Sequence, residues 1–337
     1  MWQEITEKDF GAMDKIANHP LQTSSWGLFR EKTGVKVVRM GKFEKKKLVK
    51  TIQLTIHPIP RLPYTIGYYP KSVLPDRESI EQLKRIGEKH KCIFIQIEPD
   101  APSSKENKTL MHGLGCTPSH HPLFPQHTLL LDLTPDEKAL MENMHPKTRY
   151  NIKVAQRHGV EIVEDNSDEA LHTFWTLMEE TTKRQGFFAH SENYFKKMWE
   201  TLSHEPHNDV LSAHLFKAMY EKKTLATWII FLFKEKMYYP YGDSTREFRN
   251  VMAPNLMMWE VIRFGKKQHC ELFDMWGSLG PDADPKDPWY GFHDFKVRYG
   301  SHIYTFVGSY DLVVSPFLYQ LYRFADTFRY ILLRVKK

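Results

Sequence analysis

The chain is poor in cysteine, with three in 337 residues, at positions 92, 116 and 270. Cys92, Cys116 and Cys270 form no disulfide framework, and no Cys/His spacing suggests zinc. That usage fits a reducing compartment. No run of about 18 apolar residues occurs, so no segment is expected to span a membrane. The stretch Met1–Lys15 is charged and lacks the apolar core of a secretory leader, so the expected location is cytoplasmic. Nucleotide and hydrolase signatures are missing too. There is no Walker loop, no G-x-G-x-x-G after a strand and no G-x-S-x-G elbow. His112-Gly-Leu-Gly-Cys116 is too short and misplaced to cradle phosphates. His120-His121 sits among prolines with no carboxylate at ligand spacing, so it reads as a loop and no metal is expected.

What is present describes a folded globular protein: 41% hydrophobic and 13% aromatic residues. A length of 337 residues favours two domains. The net charge of +6 favours an anionic partner without demanding nucleic acid.

Two stretches repeat one order. In the first half, a charged tip (Gly41–Lys47) is followed by strands at Leu48–His57 and Tyr64–Tyr69, the latter ended by Pro70. A helix at Ser79–His90 and a strand at Cys92–Ile97 lead to Glu98. In the second half, the tip Glu221-Lys222-Lys223 precedes strands at Thr224–Phe233 and Met237–Tyr241. A helix at Pro254–Lys267 and a strand at Glu271–Met275 follow, the latter through Asp274. Tyr-Tyr-Pro occurs in both, and Gly87 precedes Cys92 as Gly265 precedes Cys270. The shared order implies an internal duplication of a mixed α/β unit, with a substrate cleft between the copies. Ser24 or Ser25 caps an early helix through Trp26, Phe29 and Arg30. His145–Arg157 reads as a basic helix carrying Lys147, Arg149, Lys153 and Arg157, either a solvated face or a phosphate-binding one. The tail Pro316–Lys337 is helical, with Leu318, Leu321, Tyr322, Ala325 and Phe328 at helical spacing and cations at its end. It either completes a core or meets an anionic membrane surface.

The stretch Trp289–Gly300 stands apart. It follows the Pro/Asp/Gly-rich loop Gly277–Pro288 and places Lys296 beside Phe295 among aromatics. Lys296 is either a solvated lysine on a short helix or a catalytic cation.

Four segments together resemble the FemABX peptidoglycan-bridge aminoacyltransferases. They are His19-Pro-Leu-Gln-Thr-Ser-Ser-Trp-Gly-Leu-Phe-Arg30, Pro146-Lys-Thr-Arg-Tyr-Asn-Ile-Lys-Val-Ala-Gln-Arg-His-Gly-Val160, Tyr239-Pro-Tyr-Gly-Asp-Ser244 and Gly291-Phe-His-Asp-Phe-Lys-Val-Arg-Tyr-Gly300. The resemblance runs from about residue 8 to the end. It implies two tandem GNAT-like α/β domains, residues 1–126 with 306–337 and residues 127–305. Nothing between Val160 and Tyr194 leaves room for the coiled coil that some members insert, so the chain is similar to the shorter, FemX-like members.

The implied activity moves an amino acid from aminoacyl-tRNA to a stem-peptide amino group of UDP-MurNAc-pentapeptide or lipid II. It needs no metal or coenzyme, and the enzyme is expected to act as a monomer. Lys296 is implied to stabilise the developing oxyanion and Phe295 to exclude water. Glu98 is implied to help deprotonate the amine; its residue-level alternative is a strand-end carboxylate paired with a lysine. Arg30, Tyr194 and Tyr241 match precursor-binding positions, and Trp26, one helical turn before Arg30, is a further candidate, with core packing the alternative for each aromatic. Ser191 replaces an expected arginine, for which Arg184 is the nearby substitute, and an expected tyrosine falls near Ile93. Lys147, Arg149, Lys153 and Arg157 are the candidates for holding tRNA. Two other readings of the same fold are a CoA-dependent N-acyltransferase and a non-catalytic precursor or tRNA binder. The acetyltransferases' pyrophosphate loop, [RQ]-x-x-G-x-[GA], is missing.

Overall fold

The computed structural model describes residues 1–185, 190–203 and 210–335, and of residues 184, 185 and 327–335 the backbone alone. In chain order the first elements are β1 (Trp2–Glu4), α1 (Phe10–Ile16), α2 (Ser24–Lys32), β2 (Lys36–Glu44), β3 (Lys47–Pro58) and β4 (Thr65–Ser72). Next come α3 (Arg77–Lys89), β5 (Cys92–Pro99), α4 (Lys105–Gly113), β6 (Cys116–Pro118), β7 (His127–Asp132), α5 (Glu137–Asn143), α6 (Pro146–His158) and β8 (Glu161–Glu164). Then α7 (Asp168–Gln185), α8 (Glu192–Leu202), β9 (Leu211–Tyr220), β10 (Lys223–Phe233), β11 (Lys236–Ser244), α9 (Ala253–Lys267) and β12 (Leu272–Ser278). The chain closes with α10 (Tyr290–Val297), β13 (His302–Thr305), β14 (Tyr310–Val313) and α11 (Pro316–Val335).

The chain folds into two units, one of Met1–Gln126 with Thr305–Lys337 and a second of His127–Tyr304. Each holds a seven-stranded mixed sheet, ordered β1-β2-β3-β4-β5-β14-β6 and β8-β9-β10-β11-β12-β7-β13. The two orders correspond strand for strand. In each, a hairpin precedes one parallel pair, β4–β5 or β11–β12, joined by a crossover helix, α3 or α9. The sixth place is exchanged in sequence: β7, which follows β6, lies in the second sheet, and β14, which follows β13, lies in the first. This puts the C-terminal segment in the first unit.

Local chemistry explains the repeated elements. Both hairpins close on two residues of positive φ, Lys45-Lys46 and Glu221-Lys222, the geometry that matches the strands' twist. The Gly41–Lys47 tip is thus shorter than expected, because β2 runs on to Glu44. Gly87 and Gly265 press their helices onto the sheets: a Cβ there would lie 2.6 Å from Val314 Cγ2 and 2.8 Å from Met237 Cε. Each sheet buries an apolar face, around Ile52, Leu54, Leu83 and Ile95 in the first unit and Ile230, Met257, Ile262 and Phe273 in the second. A fully buried leucine or isoleucine contributes about 1.5–3 kcal/mol.

Two local expectations are corrected. α2 is capped by Thr23, whose Oγ1 accepts from the Trp26 N–H at 3.2 Å, and not by Ser24 or Ser25. β4 does not stop at Pro70. Its pairing with β3 ends at Tyr68, so the missing proline N–H breaks no ladder bond on that side.

Candidate active site

Lys296 is no solvated lysine; its side chain is fully buried. On the short helix α10, Lys296 and His293 turn inward while Phe292 and Val297 stay exposed. The Lys296 Nζ donates to the Gly277 carbonyl at 3.2 Å and to the Met275 carbonyl. Those carbonyls come from an irregularity in β12. Its parallel pairing with β11 ends at Tyr238–Asp274, and its register with β7 shifts between Asp274 and Gly277. Trp276 sits there at φ 64°. A bulge of this kind re-aims backbone groups beside functional sites. Asp274 fixes the turn, its Oδ1 accepting from the Trp276 N–H at 2.7 Å and from the Thr128 hydroxyl.

The ring of Phe292 has its centroid 3.6 Å from the Lys296 Nζ, and that of Tyr239 lies at 5.4 Å. Burial pushes the Lys296 pKa well below the ordinary lysine value, with the Asp274 charge opposing it. His293 is buried beside it, its Nδ1 2.7 Å from Ser278 Oγ. Burial lowers the His293 pKa; Asp294 opposes this and the Lys296 charge reinforces it. The site thus combines a desolvated lysine, an aromatic cover and a buried histidine. Phe295, expected to exclude water from the substrate, packs on Tyr299 (5.3 Å) and Trp228 (6.4 Å) at the core's edge. The covering ring is Phe292, one helical turn earlier. Phe292 and His293 belong to the aromatic stretch already singled out, but only the bulge in β12 distinguishes them from their neighbours.

In the first unit, Glu98 is buried near the end of β5. Its Oε2 accepts from Tyr68 Oη at 2.5 Å. Its Oε1 accepts from Ser309 Oγ (2.6 Å), the N–H groups of Leu123 (2.8 Å) and Phe124 (3.2 Å), and Gln96 Nε2 (3.5 Å). A carboxylate has about four lone-pair sites. Four of the five donors meet Oε1 and only Tyr68 meets Oε2, so Oε1 is fully engaged, and no lysine is among the partners described. These bonds tie β4, the residue before β14 and the 122–124 loop together through Glu98. It lines a pocket of about 320 Å³ with Lys71, Phe124, Phe306 and Tyr310. Lys71, which the sequence pattern does not single out, is buried at φ 46°, with its Nζ 3.2 Å from the Phe306 ring centroid. Arg30, half-buried in the last turn of α2, lies close enough for its charge to oppose the raised Tyr68 pKa and to lower that of His57. Burial is the larger cause of both shifts. Arg30, Tyr68 and Glu98 thus share one neighbourhood. Trp26 is buried edge-on to Phe29 at 5.0 Å, which is core packing.

In the second unit, Tyr194 and Tyr241 meet through Phe195, at ring distances of 5.5 and 5.1 Å, and His190 stacks on Tyr194 at 3.7 Å. Ser191 caps α8, accepting from the Tyr194 N–H at 3.3 Å. The Arg184 side chain lies outside the described residues. On α6, Lys153 and Arg157 are exposed on one stripe. Arg149 shares that stripe but donates to the Glu142 and Met144 carbonyls (2.9 and 2.6 Å), closing the end of α5. Lys147 lies about 200° around the helix from Arg149. The four cations do not form one surface. His121 Nε2 contacts Asp326 Oδ2 at 2.6 Å, a carboxylate that sequence spacing could not reveal. Among the described residues, no group of three or more His, Cys, Asp and Glu is arranged to hold a metal.

Duplicated seven-stranded sheets, each with one parallel pair and a crossover helix, define a tandem GNAT-like α/β protein. A solved tandem GNAT protein from the clavulanic acid biosynthesis pathway matches over 94% of this chain and 99% of its own, with a TM-score of 0.55 and 10% identity. The crystal structure of FemX matches over 95% of this chain and 99% of its own, with a TM-score of 0.82 and 20% identity. The FemAB family model matches residues 5–207 and 207–327, and the chain belongs to that family. Among its relatives, the lipid II:glycine glycyltransferase of Staphylococcus saprophyticus is 23% identical over 400 residues, and that of Staphylococcus aureus (strain USA300) is 22% identical over 398. Each alignment covers 94% of both chains.

Proposed function

We propose that this protein is an aminoacyl-tRNA-dependent aminoacyltransferase that adds an amino acid to the stem peptide of a peptidoglycan precursor. The observation that carries the reading is the family match across the chain, with relatives named lipid II:glycine glycyltransferases. Glycine and lipid II are accordingly the donor residue and acceptor we propose; UDP-MurNAc-pentapeptide is the soluble alternative.

In the proposed reaction the neutral amine attacks the ester carbonyl carbon. A C–N bond forms and the carbonyl π pair moves onto oxygen. Collapse expels the terminal ribose oxygen of tRNA, which leaves with the proton released by the amine. The chemistry needs a fixed cation near the oxyanion, worth roughly 3–4 kcal/mol by analogy with loss of one oxyanion donor. Lys296 is our candidate, since burial strengthens its field. In this role Phe292 and Tyr239 exclude water, while Phe295 supports them from the core. Glu98 has a positioning role. Arg30 is proposed to face the precursor's diphosphate, with Tyr194 and Tyr241 along its path, and Lys153 and Arg157 to meet tRNA phosphates. No metal or coenzyme is required, and a monomer suffices.

A pool of radiolabelled aminoacyl-tRNAs, incubated with UDP-MurNAc-pentapeptide or lipid II, tests the reading. Label on lipid II from glycyl-tRNA is the expected result. The tandem GNAT match favours a second reading, acyl transfer from CoA. A melting-temperature rise with acetyl-CoA and no label on either precursor would replace our proposal with that one.

A further inference from the structure

The helix α11 has two faces of different fate. Tyr319 is buried edge-on to Phe94 at 5.3 Å and donates to Asp311 Oδ2 at 2.7 Å. Tyr322 packs on the same Phe94 ring at 5.3 Å, and Asp326 meets His121. These contacts fix the roll of the helix. They leave Phe317 74% exposed, Leu321 51% and Phe324 76%. At 100° per residue the three fall within about 60° of one another. The sequence keeps that spacing through Phe328 and Leu332, whose side chains lie outside the described residues. Isolated exposed apolar residues are ordinary; an aligned stripe with two phenylalanines marks a contact surface.

The charges choose the occupant. From Pro316 onward the sequence carries five cations, Arg323, Arg329, Arg334, Lys336 and Lys337. Its one acid is Asp326, which is engaged by His121. No described helix is long and apolar enough to cross a bilayer. An aromatic stripe on a cationic helix suits lying in the headgroup region of an anionic membrane. We propose that the Phe317–Leu321–Phe324 face of α11 is a docking surface for an anionic lipid bilayer. The surface stands on this geometry; its purpose, bringing the enzyme to a lipid-linked acceptor, rests on the proposed function.

Co-sedimentation of the full chain with vesicles tests it without turnover. Binding is expected to phosphatidylcholine vesicles containing phosphatidylglycerol, to weaken with salt, and to be much weaker without the anionic lipid. The triple variant Phe317→Ser, Leu321→Ser, Phe324→Ser should lose about tenfold or more in partitioning while melting as the wild type does. Should the triple variant not fold, Phe324→Ser alone should lose about threefold or more. Wild-type binding by the folded variants, or no binding by the parent chain, overturns the proposal. So does a self-associated parent chain that the substitutions turn into monomers, which would make the stripe an interface between copies. Transfer to soluble UDP-MurNAc-pentapeptide is measured separately, so failure of docking and failure of the transferase reading are distinguishable.

Discussion

The two units share a sheet order and differ where their parallel strands part. In the first, β4 and β5 stay paired as far as Ser72–Pro99, and the acid near the end, Glu98, accepts from five surrounding donors. In the second, β11 leaves β12 after Tyr238–Asp274, and the next backbone carbonyls turn to Lys296. Counted from the matched cysteines Cys92 and Cys270, the place of Glu98 falls on Trp276, the left-handed residue of the bulge. Glu98 and Asp274 agree in order along the chain but not in register. One copy therefore closes its strand ends into an anchored pocket, and the other opens them around a buried lysine. A duplicated frame divides its work through such local departures.

The largest expected effect separates the two buried lysines. Lys296→Met should lower single-turnover transfer by about 10²–10³-fold. Lys71→Met should alter the acceptor's KM more than the single-turnover rate. Equal losses in both would erase the contrast between the units.

The pH dependence comes next. If the Lys296 ammonium is the active form, transfer falls as pH rises through a pKa held below the usual lysine value by burial. The alkaline limb of the rate profile should thus begin below pH 10.5 and be missing from the residual activity of Lys296→Met. Stability has the opposite sign. Between the folded pKa and about 10.5 the unfolded chain holds the extra proton, so stability rises with pH across that window. The melting temperature of wild type should rise relative to that of Lys296→Met across that window.

Glu98→Gln should destabilise the first unit by about 1–3 kcal/mol, because it turns an amide toward groups that themselves donate. Its single-turnover rate at saturating substrate should stay within about fivefold. A loss of 10²–10⁴-fold would restore Glu98 as a base. The smallest effect is on tRNA. Lys153→Gln with Arg157→Gln should reduce the salt slope of binding by about 1–2, and Lys147→Gln should leave it unchanged.

Much of the frame was legible in sequence because it rests on short-range chemistry. Charged hairpin tips, the matching Tyr-Tyr-Pro strands and the helix glycines Gly87 and Gly265 announced a repeated unit. Lys296 was legible as a residue of interest from its aromatic setting. Its burial was not, because that depends on a bulge around Trp276, and tryptophan gives no sign of left-handed backbone. β13 and β14 are four residues each and have no periodicity to read, so the exchange of β7 and β14 emerged only from pairing. Arg149 shows the limit of composition: its guanidinium closes the end of a helix that adjoins it in space.

The most direct test of the account is single-turnover transfer from glycyl-tRNA to lipid II by wild type and Lys296→Met, with tRNA affinity measured alongside. The account predicts that tRNA affinity is retained and that the transfer step falls by at least about a hundredfold. A variant that transfers within about twofold of wild type would show that the buried lysine of the second unit is structural and that the chemistry lies elsewhere.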